Sequence, residues 1–255
     1  MTTEVKQEGK FSYIEKGEGT PIILLHGLMG GLSNFEGVIS FFSKANYKVV
    51  IPQLPLFSMS LLTTSVKTLS KFLHKFIKHK NFEEVILLGN SLGGHVGLLY
   101  TKLHPNRVKA LILTGSSGLY ESAMGDGYPR RGDYEFIKKK CEEVFYDPAI
   151  ATKEIVDEAF RDVNDRGKLI KTLALAKSAI RHNMAKDLPK MTTPVCLIWG
   201  RNDIVTPPRV AEEFHELLPN SELFWIDKCG HAPMMEHPDK FNELLNSWLI
   251  KQNIH

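Results

Sequence analysis

The chain alternates between short runs of apolar residues and longer stretches in which apolar residues recur every three or four positions. Seven short runs are rich in Val, Ile, Leu and Phe: FSYIEKG, PIILLHG, YKVVIPQL, EEVILLGN, VKALILTGS, PVCLIWG and SELFWID. Because apolar residues follow one another in these runs rather than alternating with polar ones, the runs predict strands buried on both faces, as in a mostly parallel sheet.

Helical spacing fills the intervals between these runs. Residues 64–80 predict an amphipathic helix whose apolar face is made of Val66, Leu69, Phe72, Leu73, Phe76 and Ile77. A second helix follows the run EEVILLGN and is predicted to end at His104-Pro105. Strand and helix alternate along the chain, which predicts an α/β architecture with right-handed crossovers.

The alternation is interrupted once, between the runs VKALILTGS and PVCLIWG. The interval contains three polar, helix-patterned stretches, DYEFIKKKCEEVF, TKEIVDEAFRDV and KLIKTLALAKSAIRHNM. They predict a helical insertion over one end of the sheet, with extra helices on the flank of the sheet as the alternative. The predicted division is a core of residues 1–119 and 191–255 and a helical cap of residues 120–190.

Composition narrows the class of protein. A chain of 255 residues that is 43% apolar and 24% charged is long enough for one substantial core. A net charge of +3 is too small to indicate that the protein binds nucleic acid or a membrane surface. The chain has no apolar leader and no run of the ~18 apolar residues that a membrane span needs, so it predicts a cytoplasmic protein, monomeric or homodimeric. The dispersed Cys141, Cys196 and Cys229 predict free thiols and no structural metal.

One serine stands where a nucleophile is expected. Residues 89–93, GNSLG, fit the pattern Gly-x-Ser-x-Gly between a predicted strand and a predicted helix. Glycines on both sides remove the Cβ atoms that would clash as such a turn closes. The start of the helix offers free N–H groups to developing negative charge. Ser91 is therefore a candidate nucleophile, and a small residue in a tight turn is the alternative.

A serine hydroxyl needs a general base, and the base needs an orienting group. Asp203 follows the run PVCLIWG, and His231 follows the run SELFWID. The order Ser, Asp, His along the chain suits a triad built at the ends of successive strands. Taken singly, Asp203 fits an Asx turn and His231 an ordinary loop histidine.

A site for the oxyanion is also required. The early run PIILLHG is followed by a loop with several glycines, and the backbone N–H groups of Leu28 and Leu92 are the predicted donors. The glycine patterns of phosphate-binding loops are absent from the sequence. No cofactor and no metal is required by this chemistry.

Four motifs, LLHGLMG, GNSLGG, GRND and CGHAPMMEHPDKFNELLNSWL, occur in this order, and together they resemble the α/β-hydrolase superfamily over nearly the whole chain. The resemblance implies an eight-stranded, mostly parallel sheet flanked by helices, with a helical cap inserted after the sixth strand. Within the superfamily, GNSLGG, GLSNF and EHPDKFN are similar to the carbon–carbon bond hydrolases that cleave ring-fission products and to small-molecule esterases.

The substrate pocket is the least determined part. Asn34 of GLSNF and three residues of the cap, Tyr128, Phe160 and Arg161, are the predicted lining. The alternative is that the aromatic residues form the core of the cap and that the arginines are solvated. Ala232 departs from the related C–C hydrolases, which usually carry an aromatic residue directly after the catalytic histidine.

The sequence as a whole predicts a serine hydrolase that acts through an acyl-enzyme on a small-molecule ester, thioester, lactone or C–C bond substrate. The alternative is a ligand receptor or signalling partner on the same fold that turns nothing over, because fold alone does not separate the two functions.

Overall fold

A computed structural model describes residues 4–28, 32–120, 130 and 132–254. Within those residues the centre is a sheet of eight strands: β1 Lys6–Glu8, β2 Phe11–Lys16, β3 Thr20–Leu25, β4 Tyr47–Pro52, β5 Val85–Asn90, β6 Val108–Thr114, β7 Val195–Gly200 and β8 Ser221–Ile226. Strands β2 to β8 lie in the seven apolar runs, which confirms those predictions. The runs did not include β1, because its three residues are polar and exposed.

The strand order is β1-β2-β4-β3-β5-β6-β7-β8. β1 and β2 are antiparallel to their neighbours, and all pairs from β4 to β8 are parallel. The predicted eight-stranded, mostly parallel sheet is therefore confirmed. Parallel strands present their carboxyl ends at one edge of a sheet, where α/β proteins usually place their ligands.

Helices cover both faces of the sheet. α1 Glu36–Phe42, the short α8 Pro233–Glu236 and α9 Pro238–Lys251 pack on one face, and α2 Val66–His79, α3 Leu92–Leu103 and α7 Pro208–Leu217 pack on the other. Alternate strand residues divide between the two layers: Leu87 and Leu111 join one apolar cluster, and Ile86 and Ile112 join the other. This division explains why the strand sequences are continuously apolar.

The two predicted core helices begin and end where the sequence indicated. α2 is capped by Ser65, whose side chain accepts a hydrogen bond from the Thr68 N–H. Its buried face includes five of the six predicted apolar residues, and Phe72 is half-buried. α3 ends at Leu103, and the chain turns at His104 before Pro105.

Among the described residues between β6 and β7, three α-helices lie in the stretch that the sequence predicts to be helical: α4 Tyr134–Glu142, α5 Lys153–Asn164 and α6 Arg166–Arg181. Asp133 and Asp165 cap α4 and α6 through their carboxylates. α4 and α5 enclose a small apolar cluster of their own, whereas α6 adds Leu175 and Ala179 to the main core. The division into core and cap at residues 120 and 190 stays a prediction.

The three cysteines are buried, and none is in a disulfide. Among the described residues, no helix is both long and apolar enough to cross a membrane. In the same part of the chain, no group of three or more His, Cys, Asp or Glu side chains converges as a metal site.

Candidate active site

Ser91 occupies a strained turn between β5 and α3. Its φ is 53° and its ψ is −123°, a region that non-glycine residues adopt at a cost of roughly 1–3 kcal/mol. The turn is held by its neighbours: the Ser91 N–H donates to the Thr114 carbonyl at 3.2 Å, and the Ser91 carbonyl accepts from the N–H groups of Gly94 at 3.0 Å and Ser117 at 3.1 Å. Such anchoring keeps a side chain in place despite local strain.

The glycines of this turn are required by close approaches of the backbone. A Cβ at Gly89 would collide with the backbone of Gly94, and a Cβ at Gly93 would collide with the carbonyl of Leu25 at the end of β3. The spacing Gly-x-Ser-x-Gly therefore lets α3 start directly against the sheet.

Asp203 and His231 form a buried pair at the same edge of the sheet. His231 Nδ1 lies 2.9 Å from Asp203 Oδ2. The Asp203 Oδ1 atom accepts the N–H groups of Val205 and Thr206 at 2.8 and 2.9 Å, and the Thr206 hydroxyl donates to Oδ2 at 2.8 Å. Asp203 is only 2% exposed as a residue, so these four hydrogen bonds replace the water that the charge of its carboxylate would otherwise need.

Remote parts of the chain fix the backbone of His231. Its N–H donates to the carbonyl of Val144, just after α4, at 2.8 Å. Its carbonyl accepts from Asn90 Nδ2 at 3.0 Å, and the same amide donates to the Thr114 carbonyl at 3.0 Å. Gly115, with a φ of 51°, approaches the imidazole so closely that a Cβ there would stand 2.7 Å from Nδ1. The histidine is thereby placed over the end of β6.

Glu236 joins the histidine loop to the segment that follows α4. Its Oε1 atom accepts from the Gly230 N–H at 2.6 Å, and its Oε2 atom accepts from the N–H groups of Tyr146 and Asp147 at 2.8 and 3.2 Å. Hydrogen bonds to an ionised acceptor are roughly twice as strong as neutral ones. A single carboxylate thus connects the residue before His231 to the insertion.

The two predicted oxyanion donors, the N–H groups of Leu28 and Leu92, belong to residues next to Gly27 and Ser91 in the chain. A Cβ at Gly27, the residue before Leu28, would stand 3.1 Å from the Ser91 Cβ. The preceding His26 accepts the Leu54 N–H at Nε2, 3.2 Å away, so its Nδ1–H donates to the Gly27 carbonyl at 2.9 Å. Leu92 opens α3, where the first N–H groups have no partner within the helix. The role of both N–H groups stays a prediction.

Comparison with known proteins assigns the chain to a family. The alpha/beta hydrolase fold family matches residues 20–140 and 139–238. The chain belongs to this family. The resemblance seen in the sequence is thereby confirmed.

Several relatives of the chain are named hydrolases. MGS-MChE2, an alpha/beta hydrolase enzyme from a metagenome of lagoon sediments of Mar Chica, Morocco, is 58% identical, with a TM-score of 0.83 over 98% of this chain and 99% of that one. The 2-hydroxy-6-oxo-6-(2'-aminophenyl)hexa-2,4-dienoic acid hydrolase of Metapseudomonas resinovorans is 30% identical over 94% of this chain and 87% of its own. The 2-hydroxy-6-oxononadienedioate/2-hydroxy-6-oxononatrienedioate hydrolase of Pseudomonas sp is 27% identical over 98% and 95%. The chain is an enzyme of the alpha/beta hydrolase class.

The predicted pocket residues of this hydrolase lie in different surroundings. Asn34 is half-buried in a single turn of 3₁₀ helix, and Arg161 is exposed on α5. The Phe160 ring packs edge to face on Tyr134, 5.3 Å between centroids, within the cluster of α4 and α5. That position is the alternative that the sequence left open, a core residue of the insertion. Tyr128 lies outside the described residues.

Three side chains that contact the acid–histidine pair or its loop were not among the predicted site residues: Asn90, Thr206 and Glu236. Asn90 stands inside GNSLGG and Glu236 inside EHPDKFN, whereas Thr206 lies three residues after the motif GRND. The sequence offers one signal for such residues: a polar residue that stands beside the nucleophile, or two to five residues after the acid or the base. This signal does not identify the group that the residue contacts.

His95 ties the elbow helix to the insertion. Its Nε2–H donates to the carbonyl of His182, the residue directly after α6, at 2.9 Å. Burial lowers the pKa of this imidazole to about 4, so it is neutral near pH 7. His95 therefore anchors the end of α6 rather than serving as a second base beside Ser91.

Proposed function

We propose that this hydrolase cleaves a small ester, thioester, lactone or C–C bond substrate through an acyl-enzyme at Ser91. The contact between His231 and Asp203 is the observation that carries the proposal. When the Nδ1 proton points to the carboxylate, the Nε2 lone pair is left to accept the proton of a serine hydroxyl.

In the first half of the reaction, the Ser91 oxygen attacks the substrate carbonyl while His231 Nε2 takes its proton. The carbonyl oxygen becomes an oxyanion, which the N–H groups of Leu28 and Leu92 stabilise. Removing one such donor typically costs about 10²–10³ in rate. His231 then returns the proton to the leaving group, and the acyl group stays on Ser91.

In the second half, water attacks the acyl-enzyme. His231 accepts a proton from the water and returns it to the Ser91 oxygen as the acid is released. Asp203 stays ionised throughout and stabilises the imidazolium that forms at each step. The relatives from Metapseudomonas and Pseudomonas support a C–C substrate, and the same residues serve an ester.

Turnover separates this proposal from a receptor on the same fold. We expect steady release of p-nitrophenol from p-nitrophenyl acetate and butyrate and covalent labelling by a fluorophosphonate. Ser91→Ala should abolish both, whereas Ser117→Ala, also close to the elbow, should retain them. Labelling of Ser91→Ala at the full rate would move the nucleophile elsewhere. Tight binding of esters without release would favour the receptor.

A further inference from the structure

Two helices near the candidate active site carry basic residues and no acidic ones. α2 contains Lys67, Lys71, Lys75 and Lys78, and α6 contains Arg166, Lys168, Lys171, Lys177 and Arg181. The stretch before α2, residues 53–65, also lacks Asp and Glu. α5 differs, because it carries Glu154, Asp157, Glu158 and Asp162. A modest net charge of +3 thus hides a strongly uneven distribution.

α2 and α6 meet where α2 begins. The Val66 N–H donates to the Ser178 hydroxyl at 3.0 Å, and the Lys171 ammonium donates to the Phe57 carbonyl at 2.5 Å. These contacts bring the turn of 3₁₀ helix Leu61–Thr63 beside the C-terminal half of α6. The elements that carry the exposed side chains described next are therefore adjacent to one another.

Large aliphatic side chains stand in solvent on this surface. Leu62 is 99% exposed, Leu61 51% and Ile180 54%. A single exposed leucine is ordinary, but three large aliphatic side chains on contacting elements are a feature that protein–protein and membrane contacts share. These apolar side chains are not covered by the described residues, which is typical of a surface that binds a partner.

Cations flank these side chains. Lys67, Lys177 and Arg181 are exposed, and within the described part of the chain none of them takes part in an ion pair. Lys168 differs, because it pairs with Asp162 on α5. Three cations that form no ion pair among the described residues can interact with an anionic partner.

We propose that this surface docks the enzyme on an anionic lipid bilayer. The surface comprises six residues: Leu61, Leu62, Lys67, Lys177, Ile180 and Arg181. The aliphatic side chains enter the boundary between headgroups and acyl chains, and the cations meet lipid phosphates. A nucleic acid matches the charge but gains little from aliphatic side chains, since single strands are held by aromatic stacking.

Docking would bring the edge of the sheet that carries Ser91 close to the bilayer. α6 ends at Arg181, and the next residue, His182, is bonded to His95 of the elbow helix. A substrate dissolved in the bilayer would then be close to the candidate active site. Binding does not depend on the proposed reaction, so Ser91→Ala protein should dock as well as the parent.

Co-sedimentation with vesicles tests the proposal. The full chain should sediment with vesicles of equimolar phosphatidylglycerol and phosphatidylcholine, remain in the supernatant with phosphatidylcholine alone, and be released by salt. The double reversal Lys67→Glu with Lys177→Glu should weaken binding by at least about tenfold. Leu61→Ser with Leu62→Ser should also weaken it, by about tenfold.

Matched variants elsewhere serve as controls. Lys10→Glu with Lys44→Glu makes the same change in net charge at two exposed positions, and Leu103→Ser with Ile250→Ser removes two aliphatic side chains that are 48% and 54% exposed. Both controls should bind like the parent. Equal loss in the controls, equal binding to both kinds of vesicle, or binding of duplex DNA with no vesicle binding would each overturn the proposal.

Discussion

Asp203 and His231 contact each other, yet the protein holds them in opposite ways. The carboxylate of Asp203 is satisfied within four residues, by the N–H groups of Val205 and Thr206 and by the Thr206 hydroxyl. The backbone of His231 is held across the molecule, by Asn90 of the elbow and by the Val144 carbonyl of the insertion. Apart from its contact with His231, the Asp203 carboxylate is thus held by hydrogen bonds from its own loop, whereas the His231 backbone is held by segments remote in the chain.

This difference separates two kinds of damage. A change in the acid loop should alter the chemistry of the imidazole with little effect elsewhere. A change in a remote partner of the histidine should lower both stability and rate, because it moves the base and also leaves buried polar groups unpaired.

The largest effect is expected for Asp203→Asn. The amide oxygen can still accept the N–H groups of Val205 and Thr206, so the melting temperature should change little. The rate should fall by about 10⁴, because an amide favours the wrong tautomer of His231. Steady-state kcat with p-nitrophenyl acetate and thermal unfolding measure the two quantities. A variant of near-parental rate would assign the orienting acid to another residue.

Asn90→Ala comes next. It removes both hydrogen bonds of the amide. The His231 carbonyl loses its hydrogen bond from Asn90, at about 1–3 kcal/mol, whereas the Thr114 carbonyl keeps the hydrogen bond from the Ser91 N–H. We also expect kcat to fall by roughly 10–100-fold, since a displaced base loses alignment with the serine.

Asn242→Ala is the matched control for that variant. Asn242 is also buried, and its amide donates to the Gly37 carbonyl, between α9 and α1. It should lose stability and keep kcat. If the two variants lose kcat equally, the amide of Asn90 does no more than support the fold.

The contrast between local and remote contacts also explains which features of the protein can be predicted from the sequence and which cannot. Strands β2 to β8 and the candidate triad stand in local patterns, a buried run followed by a motif, and these are visible in a few consecutive residues. The partner of Asn90 lies 141 residues away, and Glu236 joins segments 90 residues apart. Such contacts exist only once the sheet order is known, so no local pattern contains them.

The pocket shows the same limit. Phe160 and Tyr134 belong to different helices of the insertion, and helical periodicity alone does not say whether an apolar face meets another helix of the insertion or the active site. The short polar strand β1 was not predicted for a different reason: it has no buried face to impose a pattern.

Glu236→Gln should have a smaller effect than Asn90→Ala. The amide oxygen of the glutamine can still accept hydrogen bonds. Its NH₂ group, however, is a donor and would face backbone N–H groups that donate to the second carboxylate oxygen of Glu236. Losing hydrogen bonds to a charged group costs about 1.5–3 kcal/mol, and we expect kcat to fall by about tenfold. Hydrogen exchange should be faster at the amides of Tyr146 and Asp147.

Glu222→Gln controls for the loss of a carboxylate that accepts several hydrogen bonds. Glu222 accepts from Trp248, Lys251 and Gln252, all on or directly after α9. This variant should leave kcat and the exchange of Tyr146 and Asp147 unchanged. Unchanged exchange in Glu236→Gln would show that the insertion is held to the histidine loop by other contacts.

The smallest effect concerns His95, another contact between remote segments. Its pKa in the fold is about 4, below the ordinary 6.5, because it is buried. The unfolded chain therefore binds a proton first as the pH falls, so the stability that neutral His95 contributes is complete above about pH 6.5 and is lost toward pH 4. At about pH 5.5 the loss is about 1 kcal/mol. Denaturant unfolding between pH 7 and pH 4 should show a shallower decline of the free energy of unfolding in His95→Gln than in the parent. Burial also lowers the pKa values of His26, His74 and His104, but these residues contribute equally in both proteins. Identical declines would mean that the pKa of His95 does not differ between the folded and the unfolded chain, so that its burial contributes nothing to the pH dependence.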